Sequence, residues 1–407
     1  MRTKAYSEEG IFNLEVQHTA QRWGKTKLLT AEQVAAIVQA FPSEFYRRHL
    51  FIKIALFIFT WFAVSAASSL VFLAVFESGS GSGHDFEERL LLGCLLCGTL
   101  AIVLLEQLII KNHLYRSGVD NALLYMAMGY FLVVLGCWYS ITLSDSFDPE
   151  MLLERGLLWW MLLPVLAVLL VGVVRYADPF LGALSFLLYL GIVVALLLPS
   201  GLGQALLPFG LMLASALAYL LVRLLARRPD YLYYRTCLRT VKVLALAFFY
   251  LAGNYMVVRE VNALLHGLNV SVQISYAPLF YLFTVGIPLA YITLGLRRHD
   301  RILLHMGLLT LGFSIFTYRF YRSVLPPEVA LTLAGIILIL LSGVLLRYLR
   351  PAKHGLTAEP ADNPEFSVLD LESVVMAHVS EAGMKVPERG FEFGGGTSGG
   401  GGAEGRY

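Results

Sequence analysis

Ten apolar runs, each about as long as a bilayer core is thick, constrain the fold of this chain more than any other feature. A transmembrane helix needs roughly 20 predominantly apolar residues. Charged residues make up only 15% of the 407-residue sequence, whereas soluble domains carry about 25%. The predicted spans are 50–76, 90–110, 122–143, 157–174, 180–198, 205–222, 243–262, 277–296, 302–321 and 329–349.

These runs predict an all-α fold, a polytopic transmembrane helical bundle of about ten spans built of hairpins. Three regions follow from the change in composition along the chain. Residues 1–49 form a cytosolic N-terminal helical segment, and residues 50–350 form the ten-span domain. Residues 351–407 form a cytosolic tail with one short amphipathic helix and a flexible Gly-rich end.

The basic residues predict the orientation of the spans. Lys and Arg concentrate on the cytoplasmic side of bacterial membrane proteins. If the N-terminus is inside, only five of the 31 Lys and Arg residues fall on the outer side. Those five are Arg89, Arg155, Arg259, Arg319 and Arg322. The sequence therefore predicts a multi-pass protein of the inner membrane with both termini in the cytoplasm.

An arginine followed by an aspartate recurs in four predicted inner connections. In one interpretation the arginine closes a helix and the aspartate caps the start of the next one. In the other, the chain is a tandem repeat of helical hairpins descended from one unit. The four segments are "RSGVD" (116–120), "RYAD" (175–178), "RRPD" (227–230) and "RRHD" (297–300).

Residues 7–41 predict a short cytosolic helical hairpin. Thr30 and Gln33 have the spacing of a capping box. The apolar face of that second helix consists of Val34, Ile37, Val38 and Phe41. The hairpin is either an anchor docked at the membrane or a module that binds a cytosolic or membrane protein partner.

Residues 367–383 predict a second amphipathic helix in the C-terminal tail. Ser367 is placed as its N-cap and Gly383 as its stop. A lone helix of this length is marginal in water. We therefore expect it to dock on the inner loops, on the membrane surface or on a protein partner.

Two stretches carry a family resemblance. "KLLTAEQVAAIVQAFP" (27–42) and "RRHDRILLHMGLLTLGFSIFTYRFYRSVLPPEVALTLAGIILIL" (297–340) resemble a widespread family of bacterial multi-span membrane proteins of unknown function. The resemblance covers most of residues 10–350. It implies a prokaryotic inner-membrane setting, and it supplies no catalytic residue or mechanism.

The outer ends of the seventh and ninth predicted spans are the candidate ligand-binding site. Asn254, Arg259 and Glu260 come from one span, and Arg319 and Arg322 from the other. If the two helices are neighbours, these groups can bind an anionic headgroup or a carboxylate, because arginine suits such geometry. The alternative is an internal set of salt bridges that locks the helix ends together.

Two further ionisable residues lie inside predicted spans, where such groups are costly. Glu106 lies near the inner end of the second span, and His305 lies one turn inside the ninth. Each is either a proton or polar relay or a hydrogen-bonded structural residue.

The remaining motifs argue against other functional classes. Cys94 and Cys97 have zinc-like spacing, but a second ligand pair is missing, so we predict no metal and no cofactor. A net charge of +2 gives no indication of nucleic-acid binding. Asp85 and Glu87 in the first outer loop resemble the acidic pair of membrane glycosyltransferases, although the loop is short.

Three functions therefore remain open. The sequence favours a membrane binding, scaffold or regulatory component that contacts membrane lipids and a protein through residues 7–41 and 367–383. The second candidate is a transporter or lipid-handling protein that uses the site between spans seven and nine. A glycosyltransferase-like enzyme is the third.

Overall fold

All regular structure in the described part of the chain is helical, as the sequence predicts. The structure is a computed structural model that describes residues 4–43, 45, 50–77, 84–143, 149–268, 273 and 276–321, with isolated positions between 329 and 347. The helices are α1 (Glu8–Lys25), α2 (Ala31–Ala40), α3 (Leu50–Glu77), α4 (His84–Asn112), α5 (Val119–Leu143), α6 (Pro149–Glu154), α7 (Leu158–Tyr176), α8 (Pro179–Leu197), α9 (Gly201–Leu225), α10 (Tyr231–Gly253), α11 (Tyr255–Leu265), α12 (Ala277–Arg298) and α13 (Arg301–Tyr321).

Eight of these helices are long and apolar enough to cross a membrane: α3, α4, α5, α7, α8, α9, α10 and α12. They indicate a multi-pass membrane protein. The ninth predicted span corresponds to α13, whose apolar stretch Arg301–Thr317 is shorter. The tenth predicted span, 329–349, falls on residues of which only isolated positions are described.

The predicted seventh span, 243–262, differs from the helices that the structure contains. Helix α10 begins earlier, at Tyr231, and it carries Arg235 and Lys242 before its apolar part. The helix also ends at Gly253, inside the predicted span, and α11 follows. Hydropathy marks where apolar side chains lie, whereas backbone hydrogen bonding decides where a helix begins and breaks.

Helix α10 is the centre of the packing. It contacts α8, α9, α11, α12, α13 and α1. Two cores lie on its two flanks. One core involves α4, α5, α7 and α8 around Leu105, Leu123 and Leu169. The other joins α10 to α12 and α13 around Tyr250 and Tyr291.

Helices α12 and α13 approach each other closely at two glycines. A Cβ on Gly295 would meet the backbone nitrogen of Leu304 at 2.7 Å, and one on Gly307 would meet that of Ile292 at 2.8 Å. Small residues allow membrane helices to pack backbone to backbone. Gly307 is thus one of the positions at which α12 and α13 can approach this closely.

The N-terminal segment docks on one end of the bundle, which we call the basic end. The basic end consists of the connections 113–118, 177–178, 226–230 and 299–300. The backbone N–H of Ala5 donates to the carbonyl of Arg175 at 3.0 Å. Tyr6 Oη donates to Asp120 at 3.0 Å, and Lys4 Nζ pairs with Asp230 at 3.1 Å.

The four recurring aspartates differ in their hydrogen-bond and ion-pair partners. Asp178 accepts from the backbone N–H groups at the start of α8, and Asp300 accepts from the third residue of α13, so capping is confirmed for both. Asp120 instead accepts from the amides of Arg116 and Ser117 in the connection before α5. Capping is wrong for Asp230, which lacks a side-chain cap bond and pairs with Lys4.

Helices α1 and α2 form the predicted hairpin, and the capping box at Thr30 and Gln33 is confirmed. Val34 meets α1 at Gly24, and the ring of Phe41 lies 6.3 Å from that of Phe12. The apolar face of α2 thus packs on α1. The predicted helix 367–383 and the Gly-rich end lie outside the described residues.

Candidate functional site

A helix break in the apolar part of the bundle is the centre of the candidate site. Helix α10 ends at Gly253, Asn254 adopts an extended conformation (φ −79°, ψ 125°), and α11 begins at Tyr255. Asn254 Oδ1 accepts from the backbone N–H groups of Met256 at 3.0 Å and Val257 at 3.3 Å. Asparagine is a preferred N-cap because its side chain satisfies helix N–H groups that lack an intrahelical partner.

Side chains from three helices satisfy the other polar groups of the break. Asn254 Nδ2 donates to Tyr250 Oη at 2.8 Å on α10 and to Thr317 Oγ1 at 3.5 Å on α13. The backbone N–H of Tyr255 donates to Thr284 Oγ1 at 3.0 Å on α12. Asn254 is 0% exposed. Buried polar groups at membrane depth require such partners, since no water replaces them.

The break lies well inside the bundle. The basic end is marked on α10 by Lys242, whose Nζ pairs with Asp300 at 2.6 Å. Twelve residues of helix separate Lys242 from Asn254, which corresponds to about 18 Å. A hydrocarbon core is about 30 Å thick. The break therefore lies within that thickness, measured from Lys242.

The predicted outer site is only partly assembled in the described residues. Asn254 reaches α13, so the predicted proximity of the two helices exists. Arg259 and Glu260 are half-buried on α11, one turn beyond the break. The backbone of Arg319 belongs to α13, but its side chain and all of Arg322 lie outside the described part.

A cavity of about 610 Å³ adjoins the break at the opposite end of the bundle. Leu251 and Ala252 before the break and Val257 and Val258 after it line this cavity, together with residues from α9 and Phe280 of α12. We call it the break cavity. Its polar side chains are Gln204, Asn262, His266, Gln273 and Tyr276.

The break cavity was not predicted from the sequence. The available signal was an apolar run interrupted by Gly253 and Asn254, because short or Gly-interrupted apolar segments indicate binding sites in transporters. Gln204, by contrast, carries no local signal. It becomes part of a cavity wall only because α9 packs beside α10.

The two predicted relay residues lie apart and have local partners. Glu106 accepts from Arg175 Nε and Tyr176 Oη, both at 2.6 Å, which ties α4 to α7. The exposed His305 has its Nδ1 2.7 Å from the carbonyl of Arg301 on its own helix. These contacts fit the structural alternative for Glu106.

The acidic pair of the glycosyltransferase hypothesis is described only for Glu87. Glu87 accepts from Ser140 Oγ at 2.7 Å, which joins α4 to α5. The side chain of Asp85 lies outside the described part. Glu87 thus has a structural contact between two helices.

Comparisons with known proteins found no match. No family model, curated protein or solved structure is similar to this chain. The function must therefore be inferred from the geometry of the break and its cavity.

Proposed function

We propose that this chain is a lipid-handling protein of the bacterial inner membrane, with about ten spans built of hairpins and both termini in the cytoplasm. The basic end then faces the cytosol, as the distribution of arginines and lysines favours. The break cavity opens toward the outer leaflet. Its ligand is a membrane amphiphile that moves between leaflets or is presented to another protein.

The observation that carries this proposal is the continuity of the break with the cavity. Residues on both sides of Asn254 line the same space. Small changes at a helix break alter a cavity wall without unwinding a helix, because the chain there has no continuous ladder of hydrogen bonds. A site that admits and releases a large ligand requires such a wall.

The chemistry of the lining favours an amphiphile over an ion. Most of the wall is hydrocarbon, and none of its described residues is Asp, Glu, Lys or Arg. The polar side chains are Gln204, Asn262, His266, Gln273 and Tyr276, which can hydrogen-bond a neutral or zwitterionic headgroup. Ligand pockets commonly combine an apolar wall with a few such orienting groups. Arg259, part of the site predicted from sequence, is not among the lining residues.

The scaffold role remains the second candidate. The packing of the N-terminal hairpin argues against partner binding through residues 7–41. The apolar face of α2 packs on α1, and α1 packs on α10. This leaves the hairpin as an anchor rather than as an open binding face. A scaffold role would depend on residues 367–383, and deletion of residues 355–407 would then abolish partner recovery.

The test is lipid scrambling by the purified full chain in liposomes that contain fluorescent phosphatidylcholine, with dithionite added to quench the outer leaflet. Ala205 lines the break cavity, whereas its neighbour Leu206 does not. We expect Ala205→Phe to slow scrambling on the order of tenfold by filling the cavity. Leu206→Phe, which places the same aromatic ring at an exposed position outside the cavity, is the control and should scramble as the wild type.

Two results would overturn the proposal. One is a wild-type rate no higher than that of protein-free liposomes, and the other is equal rates for Ala205→Phe and Leu206→Phe. A third variant, with Arg259→Gln and Arg319→Gln together, tests the site predicted from sequence. A loss of scrambling in this variant alone would move the ligand site from the break cavity to the arginines.

A further inference from the structure

A second cavity, of about 740 Å³, lies at the basic end. We call it the basic cavity. Helix α10 forms its back wall with Leu238, Arg239 and Lys242. The last turns of α9 form one side, and the connection between α12 and α13 forms the other.

The lining of the basic cavity is strongly positive. It contains one carboxylate and five cationic side chains: Arg223, Arg239, Lys242, Arg298 and Arg301. The carboxylate is Asp300, which pairs with Lys242 at 2.6 Å and caps α13 through the amide of Leu303 at 3.3 Å. One carboxylate beside five cationic side chains leaves the lining with an excess of positive charge.

The backbone presents two of these arginines from facing walls. Arg223 lies in the last turn of α9, and Arg298 is the last residue of α12. His299 then takes a left-handed conformation (φ 53°), which turns the chain directly into α13. A left-handed residue commonly ends a helix and lets the chain reverse sharply, which here places Arg298 and Arg301 on the same connection.

The lining becomes apolar toward the interior of the bundle. Tyr219 and Val222 precede Arg223 on α9, which runs toward the basic end. Ile302 follows Arg301 on α13, which runs away from it. A ligand that fills the whole space therefore has an anionic head at the basic end and an apolar part at bilayer depth.

We propose that the basic cavity binds the phosphate of an anionic phospholipid from the adjacent leaflet. Arginine guanidinium groups bind phosphate oxygens through paired hydrogen bonds. Basic cavities between membrane helices on the cytoplasmic side are suited to such headgroups. A soluble phosphate ester shares this head chemistry but has no part that fits against Tyr219, Val222 and Ile302. The proposal goes beyond lipid handling in the break cavity and concerns a separate site.

The test is native mass spectrometry of the detergent-solubilised full chain titrated with phosphatidylglycerol, phosphatidylcholine or glycerol 3-phosphate at 0.15 M ionic strength. The test variant combines Arg223→Gln with Arg298→Gln. Neither side chain makes a described hydrogen bond or ion pair within the part of the chain that the structure covers, so the fold should tolerate both changes. The matched control combines Arg227→Gln with Arg228→Gln, which removes two exposed charges just outside the cavity.

We expect the wild type to prefer phosphatidylglycerol over phosphatidylcholine. The test variant should bind phosphatidylglycerol about 30-fold more weakly, since each basic residue near an anionic lipid contributes about fivefold. The control should weaken binding much less, because Arg227 and Arg228 are exposed to solvent and do not line the basic cavity.

Three results would overturn the lipid site. They are equal affinity for phosphatidylglycerol and phosphatidylcholine, equal weakening in both double variants, and glycerol 3-phosphate binding as tightly as phosphatidylglycerol. The last would assign the basic cavity to a soluble phosphate compound. Failure of the break cavity is distinguishable, because Ala205→Phe should leave phosphatidylglycerol binding unchanged.

Discussion

The two halves of the bundle differ in what their polar side chains do. In α3–α8, polar and charged side chains join elements to one another, as Glu106 joins α4 to α7 and Asp120 holds the N-terminal segment. In α9–α13, they join elements as well, as Lys242 and Asp300 do. There, however, Asn254 also caps a helix that begins inside the bundle, and polar side chains line the cavities at both ends of this half. We infer that function belongs to the second half.

The largest expected loss of stability comes from removing the buried carboxylate of Asp120 in the first half. Asp120 is 1% exposed and accepts from Tyr6, Arg116 and Ser117. Asp120→Ala leaves these donors buried without an acceptor and should lower the free energy of unfolding by about 3 kcal/mol. Denaturant titration of the detergent-solubilised protein measures this change.

The control for this substitution is Asp230→Ala. Asp230 occupies the same place in the recurring motif. It is partly exposed, and Lys4 is the only ion-pair partner described for it. Its removal should cost no more than about 1 kcal/mol. Equal losses of unfolding free energy at the two positions would contradict the distinction between a buried, multiply bonded aspartate and a partly exposed ion pair.

A smaller loss of stability is expected at the break in the second half. Asn254→Ala removes the N-cap of α11 and leaves Tyr250 Oη without its donor, so unfolding should become easier by about 2 kcal/mol. Ser200→Ala removes the N-cap of α9, where Ser200 accepts from Gly203 at 3.0 Å on an exposed connection. That control should cost about 1 kcal/mol. Thermal denaturation of both variants compares a cap inside the bundle with one at its end.

Glu106 separates the structural hypothesis from the relay hypothesis. Arg175 and Glu106 are 29% and 22% exposed, so water screens their pair, and Glu106→Gln should cost only about 1 kcal/mol. If the role is structural, the pH dependence of lipid scrambling should match that of wild type. Loss of a titration in the scrambling profile of Glu106→Gln, with stability intact, would establish the relay.

The docking of the N-terminal segment should respond only to strongly alkaline pH. Partial burial lowers the pKa of Lys4, but hydrogen bonds to Glu8 and Asp230 raise it overall above 10.5. Burial, followed by the Asp120 carboxylate, raises the pKa of Tyr6 well above 10.0. Groups with a raised folded-state pKa stabilise the fold fully below the unfolded value and lose this contribution as pH rises through the folded value.

We therefore expect constant docking from neutral pH to about pH 10 and release above it. Tryptophan fluorescence with Trp23→Phe as the reference reports on Trp23, which lies on α1. A release near pH 6 to 8 would mean that a histidine controls the segment instead, and it would contradict the assignment to Lys4 and Tyr6.

Local patterns predicted the helices well and the connections unevenly. The caps at Thr30, Asp178 and Asp300 followed from sequence, because an N-cap depends on groups within about three residues. Asp230 ends the same arginine–aspartate pattern, but its side chain pairs with Lys4, which lies 226 residues away in sequence. A long-range partner therefore decided a choice that the local pattern left open.

The candidate site shows the same limit. Asn254 was singled out correctly, since an amide within an apolar run is costly unless it is bonded. Its partners Thr284 and Thr317 lie on α12 and α13, and the wall residue Gln204 lies on α9. Sequence spacing carries no information on how these helices are arranged around α10.

By itself, the sequence determined that this is an all-helical membrane protein with helices about as long as a bilayer is thick, because transfer of apolar side chains from water depends on local composition. The tertiary structure decided where α10 breaks, which arginines surround the basic cavity and which aspartates cap a helix. These outcomes depend on partners far away along the chain, and only packing brings those partners within hydrogen-bonding distance.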